Sequence, residues 1–531
     1  MLSVTGLGMQ FGGRVLFKDL SLTFAKGECY GVIGANGAGK STFLKILSGQ
    51  LEPTYGHVNL DKEERISVLR QDHDAFDGET VKRAVLLGNP ELVKIMDEKD
   101  RLYAKADFTD ADGIRAGELE ARFQELDGWD SDTDVANLLT SLGVPLTYQD
   151  RKMGELDVRV KVKVLLAQAL FGKPDILLMD EPTNGLDGRA TDWLEDYLAD
   201  YENTLIVVSH DRYFLNKVCT KILDVDYGVI TPYVGNYEFW YESSQLAQRQ
   251  AKELNAKKEE KVKELKDFIA RFAANASKSR QATSRKKMLE KITIEDIKPS
   301  SRRYPYIDFK PDREIGNDVL TVEGLGVKGK FSGLTFVLTR TDKVAFISDD
   351  TSIITSLFDV LADKRKDYVG KFKFGITVKK DYFPAALTEL ENIDLSLVDY
   401  LRPFAKEQLD SYIRGYLGRM VFSGDEALKK VSVLSGGEKV RLKLTKMMMD
   451  PGNLLIFDDP TNHLDLESVQ SLNTALEKFT GVVLIQSHDR ELVKTIANRF
   501  VFMMSDGKRI DIKGTYDEAM AKAQALLAKG R

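Results

Sequence analysis

The string GANGAGKST, Gly34–Thr42, follows the apolar stretch YGVI and precedes the helix-like FLKIL, so a strand leads into a glycine-rich loop and then a helix. Phosphate binding needs that order of elements. Gly34, Gly37 and Gly39 would let backbone N–H groups around Asn36 turn toward an anion, and the helix N-terminus would add its partial positive charge. Lys40 would neutralise the β- and γ-phosphates of a nucleotide, Ser41 would ligate Mg²⁺, and Thr42 closes the pattern. The stretch ILLMDE, Ile176–Glu181, reads as a buried strand ending in two carboxylates. Asp180 would hold the Mg²⁺ shell and Glu181 would polarise the attacking water. Gln71, in VLRQDH, could reach the metal and the water, and His210 could contact the γ-phosphate. Phe11 stands where an aromatic ring could stack on adenine, although core packing would explain it equally well. ATP and Mg²⁺ are the implied cofactors.

The elements that must position these groups occur twice. LLMDEPTNGLD, with Asp180, returns as LIFDDPTNHLD, with Asp458, and SHDR at Ser209 returns at Ser487; both pairs lie 278 positions apart. Two matches at one spacing indicate two copies of one unit. The length of 531 residues supports the same division, being too great for a single core. The first copy has 140 residues between Lys40 and Asp180, and the second about 104 between Ile354 and Asp458. An insertion of roughly 36 residues is therefore expected in the first, and the acidic, helix-forming stretch from about 90 to 131 fits it. The predicted organisation is a first nucleotide-binding domain over 1–240, a linker over 241–303 and a second domain over 304–531.

The net charge of −6 hides a segment of opposite sign. From Arg249 to Lys291 there are 14 Lys and Arg against 6 Asp and Glu. Val262, Leu265, Ile269 and Phe272 form one apolar seam at helical spacing. The basic string FAANASKSRQATSRKK interrupts that seam, and Met288, Leu289 and Ile292 resume it, which predicts two helices folded together with a basic tip. Cys29 and Cys219 form no framework or metal array and are expected to be buried thiols. No apolar run approaches a bilayer span and MLSVTGLGMQF has no basic-then-apolar leader pattern, so a cytoplasmic location without membrane attachment is expected.

LSGGEKVR, Leu434–Arg441, resembles the signature of the ATP-binding-cassette superfamily, whose Ser and Gly backbone bind the γ-phosphate of nucleotide held by the opposite cassette. Leu434, Ser435, Gly436, Gly437 and Glu438 carry that resemblance. The tandem cassettes, DEPTN-type strings and charged linker look like the F subfamily, whose members act on ribosomes. The linker string and the insertion look most like its bacterial YbiT-type branch. The resemblance implies an α/β fold of two tandem cassettes joined by a helical hairpin, paired within one monomer. It also implies that the linker reaches from the exit-tRNA site toward P-site tRNA, and that the insertion, an arm, approaches the ribosomal stalk. By that resemblance Lys278, Arg280, Arg285, Lys286 and Lys287 are the expected contacts to ribosomal RNA or tRNA, suited to positioning on phosphates.

The second copy departs from the pattern. SDDTSIITS, Ser348–Ser356, replaces its phosphate loop, Ile354 takes the lysine position, and Asp349 and Asp350 stand where an anion should lie. No Gln occurs between Thr341 and Tyr400, and Asp459 replaces the catalytic Glu. In the first copy the signature reads LDVRV, with Asp157 and Arg159 in place of Ser and Gly. In the head-to-tail pairing of the family, Gly34–Thr42, Gln71, Asp180, Glu181 and His210 would face Ser435–Gly437. The losses at Ser348, Ile354, Asp459, Asp157 and Arg159, with Asp458 and His488 retained, fall on the other site. One active and one decayed site are expected. The competing readings are a non-catalytic ATP-binding regulator or immunity protein, and the tandem ATPase subunit of a membrane transporter.

Overall fold

The computed structural model describes residues 1–35, 37–70, 72–272, 302 and 304–528. Two compact units emerge. One comprises residues 1–64, 201–208 and 215–301; the other comprises 65–200, 209–214 and 302–531.

In the first unit, strand Cys29–Gly34 is buried at every position and lies parallel between Thr204–Val208 and Lys221–Asp226. An uninterrupted apolar run is what a parallel strand covered on both faces requires. Val229–Val234 adds to the edge of Lys221–Asp226 in antiparallel register. A separate antiparallel sheet sets Ser3–Phe11 between Arg14–Thr23 and Tyr55–Asn59. Helix Tyr237–Phe272 belongs to this unit and carries the first part of the expected seam. Leu265 on it is buried and Val262 half-buried. The basic residues Lys278, Arg280, Arg285, Lys286 and Lys287 lie outside the described residues. Cys29 and Cys219 are free, buried thiols with their Sγ atoms 3.4 Å apart.

In the second unit, six strands run in the order Lys380–Phe383, Leu454–Asp458, Val482–Gln486, Lys343–Ile347, Arg499–Met503 and Arg509–Lys513. The first five are parallel and the last is antiparallel. Thr204–Val208, Cys29–Gly34, Lys221–Asp226 and Val229–Val234 follow the same succession, so the sequence repeat is a structural repeat. Strand pair Ile66–Val68 and Ile176–Asp180 also lies in this unit. The insertion forms helices Pro90–Tyr103 and Asp110–Glu125. Arg122–Glu91, Arg115–Glu98 and Lys105–Asp112 pair across them in opposite chain order, so the two helices run antiparallel. Leu119 and Phe123 bury their side chains on the inner face.

Candidate nucleotide site

The phosphate loop belongs to the first unit, delivered by strand Cys29–Gly34 and followed by helix Lys40–Leu47. Gly37 and Gly39 have φ of +76° and +103°, a region that residues with a Cβ rarely enter. A Cβ on Gly34 would meet the Val225 carbonyl oxygen at 2.6 Å. The course of the loop therefore depends on these three glycines. Lys40 is buried, and its Nζ donates to the carbonyl oxygens of Gly34 at 2.8 Å and Ala35 at 3.3 Å. This holds the ammonium against the loop, and no side chain caps the helix behind it. A triphosphate fits such a donor set. Ser41 is exposed and Thr42 half-buried. Phe11 is 54% exposed at the end of its strand, which removes core packing as its explanation. Asn36 and Gln71 lie outside the described residues.

The carboxylates belong to the second unit. Strand Ile176–Asp180 is buried up to its last residue, and Glu181 follows with φ +53°. One oxygen of Glu181 accepts the His210 backbone N–H at 3.2 Å, and the other lies 3.5 Å from His210 Nε2. Glu181 and His210 thus hold each other in orientation. The second copy repeats the arrangement with a shorter side chain. Asp459 has φ +50°, accepts the His488 N–H at 3.4 Å, and lies 3.8 Å from His488 Nε2. Every contact is longer, and His488 is 68% exposed against 29% for His210.

The replaced phosphate loop differs in backbone as well as side chains. Ser348 stands where Gly34 stands, and its hydroxyl donates to the Met503 carbonyl, 278 positions beyond Val225. Helix Thr351–Leu361 begins three residues earlier than helix Lys40–Leu47 does relative to these positions. The residues matching Gly37 and Gly39 are Thr351 and Ile353, both helical. The concave loop of N–H groups is therefore absorbed into a helical turn. Asp350 caps that turn by accepting the Ser352 N–H at 3.0 Å, and Asp349 accepts the Ser505 N–H and hydroxyl at 2.8 and 2.6 Å. The carboxylates take amides themselves. Ile354 is fully buried. Asp458 is fully buried as well, and burial pushes its carboxyl up to about 6, opposed by the Thr355 hydroxyl at the position matching Ser41.

At the signature, Ser435 caps helix Gly436–Met449 and forms a capping box with Glu438. Glu438 Oε2 accepts the Ser435 N–H at 2.9 Å and its hydroxyl at 2.8 Å. Burial opposes charge on Glu438, but these bonds and Lys429 hold its carboxyl below the usual range. Leu434 is buried beneath the cap. A Cβ on Gly437 would come within 2.7 Å of the His463 carbonyl oxygen, and one on Gly436 within 3.1 Å of the His463 ring. Sequence reasoning missed His463, whose φ of +66° matches the glycine position Gly185 of the other copy. The substitution of His for Gly in TNHLD was the available signal. In LDVRV, Asp157 keeps the cap by accepting the Arg159 and Val160 N–H groups at 2.7 and 3.3 Å. Val158 and Arg159 add exposed side chains where the intact signature has none. The helix start survives there, without the two glycines of its first turn.

Family models described as ABC transporter match residues 17–184 and 223–309. The chain is 53% identical to the "Uncharacterized ABC transporter ATP-binding protein YkpA" of Bacillus subtilis (strain 168), over 98% of both chains. It is 42% identical to the "Probable ATP-binding protein YbiT" of Escherichia coli O157:H7, again over 98% of both. It is 32% identical to the "ABC transporter F family member 2" of Arabidopsis thaliana, covering 97% of this chain and 78% of that one. Among solved structures, an archaeal ribosome recycling factor, aABCE1, in complex with ribosomal stalk protein aP1 matches with a TM-score of 0.59 at 16% identity, covering 98% of this chain and 92% of that one. That likeness shows the tandem-cassette fold. Among the described residues no helix is long and apolar enough to cross a membrane.

Proposed function

We infer, from the premise that this chain belongs to the F subfamily of ATP-binding-cassette proteins and to its YbiT-like branch, that it binds ribosomes in an ATP-dependent way and carries one working ATP site. The observation that carries the reading is the contrast between the two phosphate loops. One keeps its positive-φ glycines and a lysine folded against the loop. The other is a capped helical turn with a buried isoleucine.

In this reading Lys40 and the loop amides bind the β- and γ-phosphates, and Ser435 with Gly436 and Gly437 offers the signature surface to the γ-phosphate. Glu181 orients and deprotonates the attacking water, with His210 keeping the carboxylate aligned. A Mg²⁺ ion held by Ser41 and Asp180 would neutralise charge on the phosphate oxygens when bound. ATP favours the clamped arrangement of the cassettes by binding it more tightly, and hydrolysis releases it. The basic linker then rests against tRNA or ribosomal RNA near the exit-tRNA site, through phosphate contacts. The ribosome-related role is supported by the family and by the recycling-factor likeness in fold.

Glu181→Gln should leave ATP bound and slow phosphate release by about a hundredfold or more. The same variant should co-sediment with ribosomes when ATP is present. If it sediments free of ribosomes with ATP bound, the reading fails. Substantial phosphate release from the unaltered chain would separately exclude a non-catalytic regulator.

A further inference from the structure

The arginines that end the two SHDR strings make more unusual contacts than the histidines beside them. In the second unit, Arg212 is buried to 4% side-chain exposure, donates to the Gln470 side-chain oxygen, and lies 3.5 Å from Asp489. Arg490, 278 positions on, pairs with Asp192 at 2.5 Å and with fully buried Glu195 at 3.3 Å. Asp192 and Gln470 are also 278 apart. Each of these arginines therefore docks at the same position of a matching helix in the other copy, either Gly188–Ala199 or Leu466–Lys478.

The two helices differ in what precedes the docked arginine. Glu467, one helical turn before Gln470, forms an ion pair at 2.9 Å with Arg302, and their side chains are 6% and 5% exposed. Positions 467 and 470 share a helix face, and Asn473 continues the stripe by accepting the Thr495 hydroxyl at 2.6 Å. The residue matching Glu467 in the first copy is Arg189, which is exposed. Arg302 closes the basic linker in sequence. Its ion pair thus sits on the helix that receives Arg212, which lies two residues beyond His210 and so next to Glu181. Among the described residues the helix that receives Arg490, Gly188–Ala199, shows no ion pair at the matching Arg189.

We propose that helix Leu466–Lys478 is a positioning element that couples the linker to ATP through the SHDR string Ser209–Arg212, with Arg302–Glu467 as its linker end and Gln470–Arg212 as its nucleotide end. The γ-phosphate acts on the loop holding His210; Arg212 transmits that loop's position to Gln470; the rigid helix passes it over one turn to Glu467 and hence to Arg302. A buried ion pair at Arg302–Glu467 and a side-chain hydrogen bond from buried Arg212 have few alternative geometries, so a shift at one end is not dissipated in side-chain rotation. The inference rests on the proposed function for the action of ATP on the His210 loop and for what the linker touches; the contacts that carry the coupling are internal to the chain.

The test uses the full-length chain carrying Glu181→Gln, with ATP and Mg²⁺ as the probe. The readout is amide hydrogen exchange in a peptide covering residues 292–304, with and without nucleotide. ATP should change exchange there by about threefold or more. Adding Glu467→Gln or Gln470→Ala should reduce that response to near unity while ATP affinity stays within about twofold. The swap Arg302→Glu with Glu467→Arg should restore it. A purely structural ion pair predicts a different pattern: faster exchange in both states, with the ATP response preserved. An ATP response retained in both Glu467→Gln and Gln470→Ala overturns the proposal, and so does the absence of any response in the Glu181→Gln parent. Ribosome co-sedimentation is scored separately. Its failure beside an intact, Glu467-dependent exchange response removes the ribosome reading and supports the coupling.

Discussion

At the end of each buried strand the second acidic residue adopts the same left-handed backbone, φ +53° at Glu181 and +50° at Asp459. The difference in reach to the partner histidine is therefore a side-chain effect, one methylene long. A water positioned for attack at Glu181 would be out of line at Asp459, and misplacement on that scale is costly in catalysis. Asp458 presents a second residue-scale consequence. Its carboxyl is pushed up to about 6 by burial, against the Thr355 hydroxyl and with added repulsion from Asp459 and Asp359, compared with 3.8 for an ordinary aspartate. The folded chain consequently holds a proton there that the unfolded chain has already lost between roughly pH 4 and 6. This stability is present in full below pH 4 and is lost as pH rises through 6. Asp458→Asn should stabilise the chain at pH 7.5 by on the order of 2 kcal/mol and flatten the decline between pH 4 and 6. Denaturant unfolding across that range checks it; a variant less stable than the parent at pH 7.5 would contradict the assignment.

At the level of elements, the stretch of the second copy that matches the phosphate loop differs in secondary structure. Helix Thr351–Leu361 starts where the intact copy still has an irregular loop, and Asp350 caps it. Restoring the lysine alone supplies a charge without the concave amides that a phosphate needs. Ile354→Lys should therefore show no second ATP by equilibrium dialysis. It should also destabilise the chain by about 3 kcal/mol or more, because a fully buried aliphatic position receives an ammonium. A gain of tight nucleotide binding in that single variant would show that the backbone was never the obstacle. The signature behaves differently: both copies keep a capped helix start, by Ser435 and by Asp157. There the loss is confined to side chains on the exposed first turn.

On the scale of the whole molecule, the intact features form one complete chemical set while the altered ones form another. Gly34–Thr42, Asp180, Glu181, His210 and Ser435–Gly437 retain the residue types that ATP chemistry needs. Ile354, Asp459, Asp157 and Arg159 do not. The expected stoichiometry is one tightly bound ATP per chain, reduced to none by Lys40→Ala, in which the loop loses its buried ammonium. Titration calorimetry of both chains checks this. Two tight equivalents in the unaltered chain would remove the asymmetry on which the single-site reading depends.

The repeat at 278 and the strand–loop–helix around Lys40 were legible in the sequence, because each depends on local spacing. The linker's first apolar seam was legible for the same reason, through helical periodicity at Val262 and Leu265. The tertiary structure decided what local pattern cannot express. SDDTSIITS showed that phosphate-loop residues were gone, but only the fold shows the loop recast as a helical turn with its carboxylates bound to amides. His463 became visible through its positive φ and its approach to Gly437. The stripe of Glu467 and Gln470 looks like any solvated helix face until Arg302 and Arg212, 165 and 258 positions earlier in the chain, are brought against it. Contacts at such separation come from the packing of whole elements, and no window of sequence contains both partners.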